Sequence, residues 1–585
     1  MKKTNKTALA FLKPYRIRVF LAPLLKIVEC ITELAVPFIV RSVIDQGLTE
    51  PSIGEAYGSH YGDTKYILGL TSLIFVFAIV GFGCTMITQY LAAHVSSEYA
   101  YTLKKELYDH LTHASSKQVE NYGKGKALNL LTNDSFSMQN GVQLFMRLMV
   151  RAPFLVLGSV AAAFFINVYA GLAVLGGLSL CALTIFIVMK LTPKEYSTLQ
   201  KELDRVSTLG DDAIVGGRVV RAFNKQEDEI ASFQKESEKY RKQALRIQKM
   251  NSFINPLTFG FVNAAIVLIL YFGSFQIQLT GLSVGSIVAL VSFLTQSLTA
   301  LIQFTRLVTS ISKALASKKR IDAFFALTPD IVDGPLKATK KETKTLFRFE
   351  DVRLSFGGEN DALSHINFEL RPGETIGIIG GTGSGKSTIL SLCNRFLDAS
   401  GGQVYFQDEP IQKWNLHTLR DQIALVSQKP QIFQGTIRDN LLLGNPHASE
   451  EEIKAAIQDS LCSEYFCHYK DGLDHPIEEG GANLSGGQKQ RLLIGRALLS
   501  KRPILMLDDS TSALDYKSDL LVRENIKKRG GLSVILVSQR ATSIQNCDRI
   551  YVLDKGHIVG VGKHEELLTS CPVYSEIYHA QVDAQ

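Results

Sequence analysis

The fold class predicted is an all-α six-helix transmembrane domain fused to an α/β P-loop domain, and three observations predict it. Long apolar runs recur up to about residue 326. From Phe347 onward, short apolar stretches alternate with polar residues and turns as strands do. Gly380-Gly-Thr-Gly-Ser-Gly-Lys-Ser387 then fits the pattern G-x-x-x-x-G-K-S directly after a short apolar strand.

The expected boundaries are a transmembrane domain at residues 1–326, a linker at 327–345 and the α/β domain at 346–585. The apolar fraction of 46% and mean hydropathy of +0.09 are averages over these unlike halves. The net charge of +7 is explained by Lys and Arg gathered on one side of a membrane. Nucleic-acid binding needs a basic patch with a readout motif, and the chain has none. Its eight cysteines are scattered, which implies no disulfide framework. Cys462 with Cys467-His468 falls short of a four-ligand zinc set. Lys2, Lys3 and Lys6 precede an apolar run without a small-residue cleavage site, so no cleavable signal peptide is expected.

Spanning a bilayer core takes roughly 20 apolar residues per helix. Six stretches qualify, at residues 19–40, 67–88, 144–165, 172–188, 257–275 and 284–308. Short hinges at 167–171 and 278–281 alternate with long polar stretches at 98–126 and 190–250. The long stretches keep helical periodicity, so helices should run well past the membrane on one side. Lys13, Arg16, Arg18, Lys104, Lys105, Lys117, Lys124 and Lys126 mark that side as cytoplasmic, with both termini on it. The opposite loops carry only Lys65.

Lys26, Glu29 and Glu33 recur at helical spacing inside the first span. A lone charge in hydrocarbon is costly, so they face one another as a structural ion pair or form the polar wall of a cavity. Gln89, His94, Arg147, Arg151, Asn263, Gln296, Gln303 and Arg306 are further candidates for that wall.

Gly217-Arg-Val-Val-Arg-Ala-Phe-Asn-Lys225 and Gly281-Leu-Ser-Val-Gly-Ser-Ile-Val-Ala289 resemble segments of the transmembrane domain of ABC exporters of the type IV fold, and the likeness covers essentially the whole chain. The resemblance implies two short coupling helices, near residues 113–122 and 211–220, that lie on the motor domains.

In the α/β half, glycines let successive N–H groups of residues 380–385 converge on phosphates. The set is Gly380, Gly381, Thr382, Gly383, Ser384, Gly385, Lys386, Ser387 and Thr388. Lys386 would reach the phosphate oxygens, Ser387 would offer a hydroxyl to Mg²⁺, and the following helix would point its N-terminus at the anion. Asp508 ends the apolar strand Ile504-Leu-Met-Leu-Asp508 and would orient the same metal. The ABC resemblance assigns the remaining parts. Phe356 stands where an aromatic stacks on adenine, and Gln428 where a glutamine reaches Mg²⁺ and the attacking water. Leu484-Ser485-Gly486-Gly487-Gln488 matches the family signature, which would grip ATP held by a different motor domain. Ser512-Ala-Leu-Asp515 matches the loop that signals across the dimer. With one motor per chain, a second half-transporter is required.

Two residues depart from the family pattern. Asp509 stands where a glutamate polarises the attacking water, and Gln539 where a histidine contacts the γ-phosphate. A carboxylate one methylene short can forfeit contacts of about 2.6–3.2 Å, and a neutral amide lacks the imidazole's charge. Binding residues intact and catalytic residues altered resemble the degenerate-site subunit of heterodimeric bacterial multidrug exporters. The expectation is therefore an ATP-driven efflux pump half for amphipathic compounds, in the cell membrane, using ATP and Mg²⁺. A lipid or peptide translocator, a slow homodimeric exporter and an ATP-gated membrane protein remain open alternatives.

Overall fold

The computed structural model describes residues 7–50, 59–276, 283–338, 343–357, 361–466 and 468–582. Lys2, Lys3, Lys6, Cys467, the hinge at 278–281, part of the loop at 50–65 and part of the linker lie outside the described residues. The chain divides into two units. One comprises Met1–Thr112 and Gly123–Thr328, and the other His113–Tyr122 and Pro329–Gln585.

All six expected spans fall on helices of the first unit. Among the described residues, four helical stretches are long and apolar enough to cross a membrane: Thr64–His113, Lys124–Ile166, Val168–Ile187 and Val284–Phe325. The helix Arg16–Ser42 carries Lys26, Glu29 and Glu33 in its middle, and the helix Ile254–Gln276 contains the shorter apolar stretch Pro256–Tyr271. The hinge at 167–171 shrinks to one residue. Extended Asn167 caps the next helix, its side chain accepting from Tyr169 N and Ala170 N, so Val168 already begins the 48-residue helix to Val215. Apolar side chains interlock where helices meet, with Val174, Leu178 and Cys181 against Val262, Ala265 and Ile269. Gly177 makes that approach possible, since a Cβ there would stand 2.9 Å from the Ala265 methyl.

The buried charges of the first span find partners. Lys26 Nζ donates to Glu29 Oε2 at 2.5 Å, with both residues buried. Arg151 Nη2 donates to Glu33 at 2.7 Å, and Gln296 Nε2 to the Glu33 carbonyl at 3.4 Å. The ion-pair alternative is thus realised for Lys26 and Glu29, while Glu33 joins Arg151 across two helices. Asp45, at the end of the same first segment, caps the last span. Its carboxylate accepts from Gly285 N at 2.8 Å and from the Ser283 hydroxyl.

The short segment expected at 211–220 starts later. The long helix continues to Val215, where Gly216 N donates to Asp212 O at 2.7 Å, and the short helix is Gly217–Ala222. Ile214, Val215, Val219 and Phe223 are all exposed around it. The first short helix, Ser116–Tyr122, belongs to the second unit. Gln118 Nε2 donates to Asp330 Oδ1 at 2.9 Å, and Lys117 Nζ lies 5.7 Å from the centre of the Phe356 ring.

Among the described residues, the second unit holds twelve strands. In chain order these are β1 (Phe347–Leu354), β2 (Leu363–Leu370), β3 (Thr375–Gly380), β4 (Gly401–Phe406), β5 (Glu409–Pro410) and β6 (Ile423–Val426). There follow β7 (Gly435–Thr436), β8 (Pro476–Ile477), β9 (Ile504–Asp508), β10 (Ser533–Val537), β11 (Arg549–Asp554) and β12 (His557–Gly562). The main sheet runs β12-β11-β3-β10-β9-β6, parallel except at β12, and a second sheet runs β2-β1-β4-β5. The central strands are apolar on both faces, as a sheet covered on both sides requires. Residues 334–336 of the linker run beside 413–415: Gly334 N donates to Trp414 O and Leu336 N to Lys413 O. Seven cysteines are described, all unpaired, and every one except half-buried Cys84 is buried.

Candidate functional site

In a parallel sheet, loops leaving the carboxyl ends of adjacent strands meet in one crevice. The order β3-β10-β9-β6 therefore aligns the glycine loop after β3, Gln539 after β10, Asp508 and Asp509 at the end of β9, and Gln428 after β6. These residues line one cavity of about 300 Å³, together with Phe356, Thr382, Gly383, Gly385, Lys386, Ser387 and Thr388. Sequence reasoning did not pick out Ala362 and Val537, which complete the lining.

The glycine loop needs its glycines. Gly383 and Gly385 have φ of 81° and 99°, in the left-handed region, and a Cβ at Gly385 would stand 2.6 Å from Leu363 Cδ2. Gly385 caps the helix Lys386–Cys393 without a side chain, which leaves the helix's first N–H groups to a ligand. Lys386 turns back onto the loop, donating to Gly380 O at 2.8 Å, Gly381 O at 2.7 Å and buried Ser384 Oγ at 3.4 Å. Gly380, Gly381 and Ser384 thus hold the lysine rather than line the cavity.

Ser387 Oγ donates to Asp508 Oδ1 at 2.9 Å. A hydroxyl beside a carboxylate is a hard-oxygen pair suited to a small divalent cation. Burial raises Asp508 above the ordinary carboxylate range, and the neighbouring Asp509 raises it further. Asp509 is raised by burial as well, opposed by the nearby main-chain N–H of Gln539 and by Lys386, Arg540 and the Gln428 side chain. Burial lowers Lys386, while Asp509 and Asp508 pull it back up. The site thus holds one cation against two partly desolvated carboxylates, a balance that favours an incoming polyanion with its metal. Asp509 has φ of 46°; aspartate is among the few non-glycine residues that visit this region readily.

Ser485, Gly486, Gly487 and Gln488 do not line this cavity. They open the helix Gly486–Leu499, where Ser485 Oγ accepts from Gln488 N at 3.3 Å and Ser485 N donates to Gln488 Oε1 at 2.8 Å. Arg540 ties the Gln539 loop to the 512–515 loop, donating to Ser512 O at 3.0 Å. Ala513 N in turn donates to Gln490 Oε1 at 3.0 Å, on the helix that Ser485 caps.

Two family models match the chain: the ABC transporter transmembrane region over residues 19–301, and the ABC transporter model over residues 363–512. The ABC transporter ATP-binding protein YfiB of Bacillus subtilis is 30% identical over 579 residues, covering 98% of each chain. The ABC transporter ATP-binding protein Rv1273c of Mycobacterium tuberculosis is 29% identical over 581 residues, 97% of each. An ATP-dependent lipid A-core flippase of Desulfotalea psychrophila is 29% identical over 573 residues, 97% of each. Among solved structures, a bacterial Atm1-family ABC exporter with ATP bound shares the fold at TM-score 0.78 and 21% identity, covering 97% of this chain and 98% of that one.

Proposed function

This chain belongs to the ABC transporter family, and from that premise we propose that it is one half of an ATP-driven exporter, the degenerate-site subunit of a heterodimeric multidrug efflux pump. The observation that carries the reading is one cavity in which Lys386, Ser387 and Asp508 keep the binding chemistry while Asp509 and Gln539 replace the hydrolytic residues.

The residues present fit ATP and Mg²⁺. Uncapped N–H groups at Lys386–Cys393 and the Lys386 ammonium would hold phosphate oxygens, and Ser387, Asp508 and Gln428 would supply oxygens to the metal. A bound Mg²⁺ would supply charge neutralisation for the phosphates here. Phe356, exposed beside the loop, gives the base a stacking face. Asp509 and Gln539 hold the nucleotide without lining up water efficiently, so this pocket retains ATP. The intact Ser485–Gln488 segment, outside the chain's own cavity, completes the competent site of the companion. Closure of the two motors moves the helices Ser116–Tyr122 and Gly217–Ala222, and the membrane cavity opens to the other side. Both termini lie in the cytoplasm, and the domains follow the boundaries 1–326, 327–345 and 346–585.

A second reading changes the cargo to a lipid, supported by near full-length similarity to proteins named lipid A-core flippases and by the charged group Lys26, Glu29, Glu33 and Arg151 inside the membrane half.

Purification of the chain from its native membrane in mild detergent, with co-purifying proteins weighed by mass, tests the pairing. A second half-transporter at one-to-one, carrying glutamate and histidine at the two altered positions, is expected. A self-dimer with brisk ATPase activity would overturn the division of labour.

A further inference from the structure

The Gln539 loop is held from a direction that the nucleotide-site motifs do not reach. The C-terminal helix Pro572–Val582 packs against the helix Ala541–Ile544 and against β3 and β11. From its last turn, half-buried Gln581 sends its amide to the main chain on both sides of Arg540. Gln581 Nε2 donates to Gln539 O at 2.7 Å, and Ala541 N donates to Gln581 Oε1 at 2.9 Å. A carbonyl only accepts and an N–H only donates, so the partners fix which way the amide points. Glutamine supplies donor and acceptor at this reach; glutamate supplies only the acceptor, and asparagine is a methylene short.

The clamped stretch does two things. Its Gln539 lines the nucleotide cavity beside Asp509. Its Arg540 guanidinium donates to Ser512 O at 3.0 Å and Leu514 O at 3.4 Å, and so supports the 512–515 loop. The helix does not depend on Gln581 for docking, because Tyr574 is fully buried at its start and Cys571 and Leu567 are buried just before it.

We propose that Gln581 is a positioning residue for the nucleotide site: its amide fixes the main chain of residues 539–541 and thereby aims Gln539 and Asp509 at the bound nucleotide. The C-terminal helix is then part of the machinery that holds ATP in this chain's pocket. The inference rests on the reading of Gln539 as a nucleotide contact.

The test uses the full chain in the assembly it forms in its own membrane, loaded with radiolabelled ATP and Mg²⁺. ATP release, kcat, KM and Tm are measured for the wild type, Gln581→Met, Gln581→Glu and Gln539→Ala. Gln581→Met should release ATP about fivefold faster, the equivalent of one neutral hydrogen bond, with Tm nearly unchanged. Gln581→Glu, keeping the acceptor alone, should fall between it and the wild type. If Gln539→Ala speeds release while Gln581→Met does not, the clamp is irrelevant and the proposal is overturned with the site reading intact. If release follows Tm across both Gln581 variants, the residue is structural only, which also overturns it. If Gln539→Ala changes neither release nor kcat, the reading of Gln539 falls and takes the proposal with it.

Discussion

Two helices of the same unit start at glycine-containing loops, and their N-termini are finished in opposite ways. Lys386–Cys393 starts behind Gly385, which has no side chain to offer, so its N–H groups are left for an anion. Gly486–Leu499 starts behind Ser485, which forms a reciprocal capping box with Gln488 and satisfies the same kind of donor internally. The first terminus is completed only by a ligand. The second is stable by itself, and its serine must be shared with any phosphate it meets. The difference separates a terminus left open to an anion from one whose donors are already satisfied.

The sharpest way to break this contrast is at the open terminus. Lys386→Ala removes the only cation beside the uncapped N–H groups in the described lining, and ATP affinity should fall about 100-fold, equivalent to one or two charge-assisted hydrogen bonds. Equilibrium binding of a fluorescent ATP analogue reads it. At the closed terminus, Ser485→Ala should leave ATP affinity of this chain unchanged but slow steady-state hydrolysis by the assembly about 100-fold, the low end for loss of one transition-state donor. The same change removes a cap worth about 1 kcal/mol, so thermal unfolding should shift down by a few degrees. Equal loss of ATP affinity in both variants would erase the distinction.

A weaker effect concerns the carboxylates facing the open terminus. A carboxyl whose folded value lies above its unfolded one stabilises the fold fully only below the unfolded value, and that contribution is lost as pH rises through the folded value. Burial raises Asp508 and Asp509 in this sense. Without nucleotide, Asp509→Asn should therefore melt higher than the wild type at neutral pH, with the gap closing as pH falls into the ordinary carboxylate range. Calorimetry across pH checks the direction; a gap that widens on acidification would refute it. The smallest expected effect is at Lys117, whose ammonium lies over the Phe356 ring. Lys117→Met should change ATP affinity about two- to fourfold, matching a cation–π contact of about 0.5–1 kcal/mol.

The parts of the site that sequence could reveal are those built from local spacing. Gly380–Ser387 and Asp508 follow apolar strands, and the sheet order then brings their loops together. The six spans were legible because about 20 apolar residues in a row have few other uses. Contacts between distant positions left no such trace. Gln581 lies 42 residues from Gln539, and Asp45 lies 240 from Gly285; neither pair shows any periodicity. The shift of the second short helix to Gly217 has a local cause that composition did not resolve, since Gly216 could stop a helix or be carried through it. Lys26, Glu29 and Glu33 announced a polar interior, but their division between Glu29 and Arg151 depended on which helix stood opposite.

The burial of the cysteines has a practical side. Thiolates, not thiols, react with maleimides, and burial pushes Cys462 and Cys547 up to about 12 and Cys393 well above the ordinary thiol value. With Cys467 replaced by serine, the ATP-binding half offers almost no competing reactivity among its described thiols. Cysteines introduced together at exposed Tyr516 and Lys117 would take a pair of labels selectively within this half, so the distance between them could be followed in real time without rebuilding the chain.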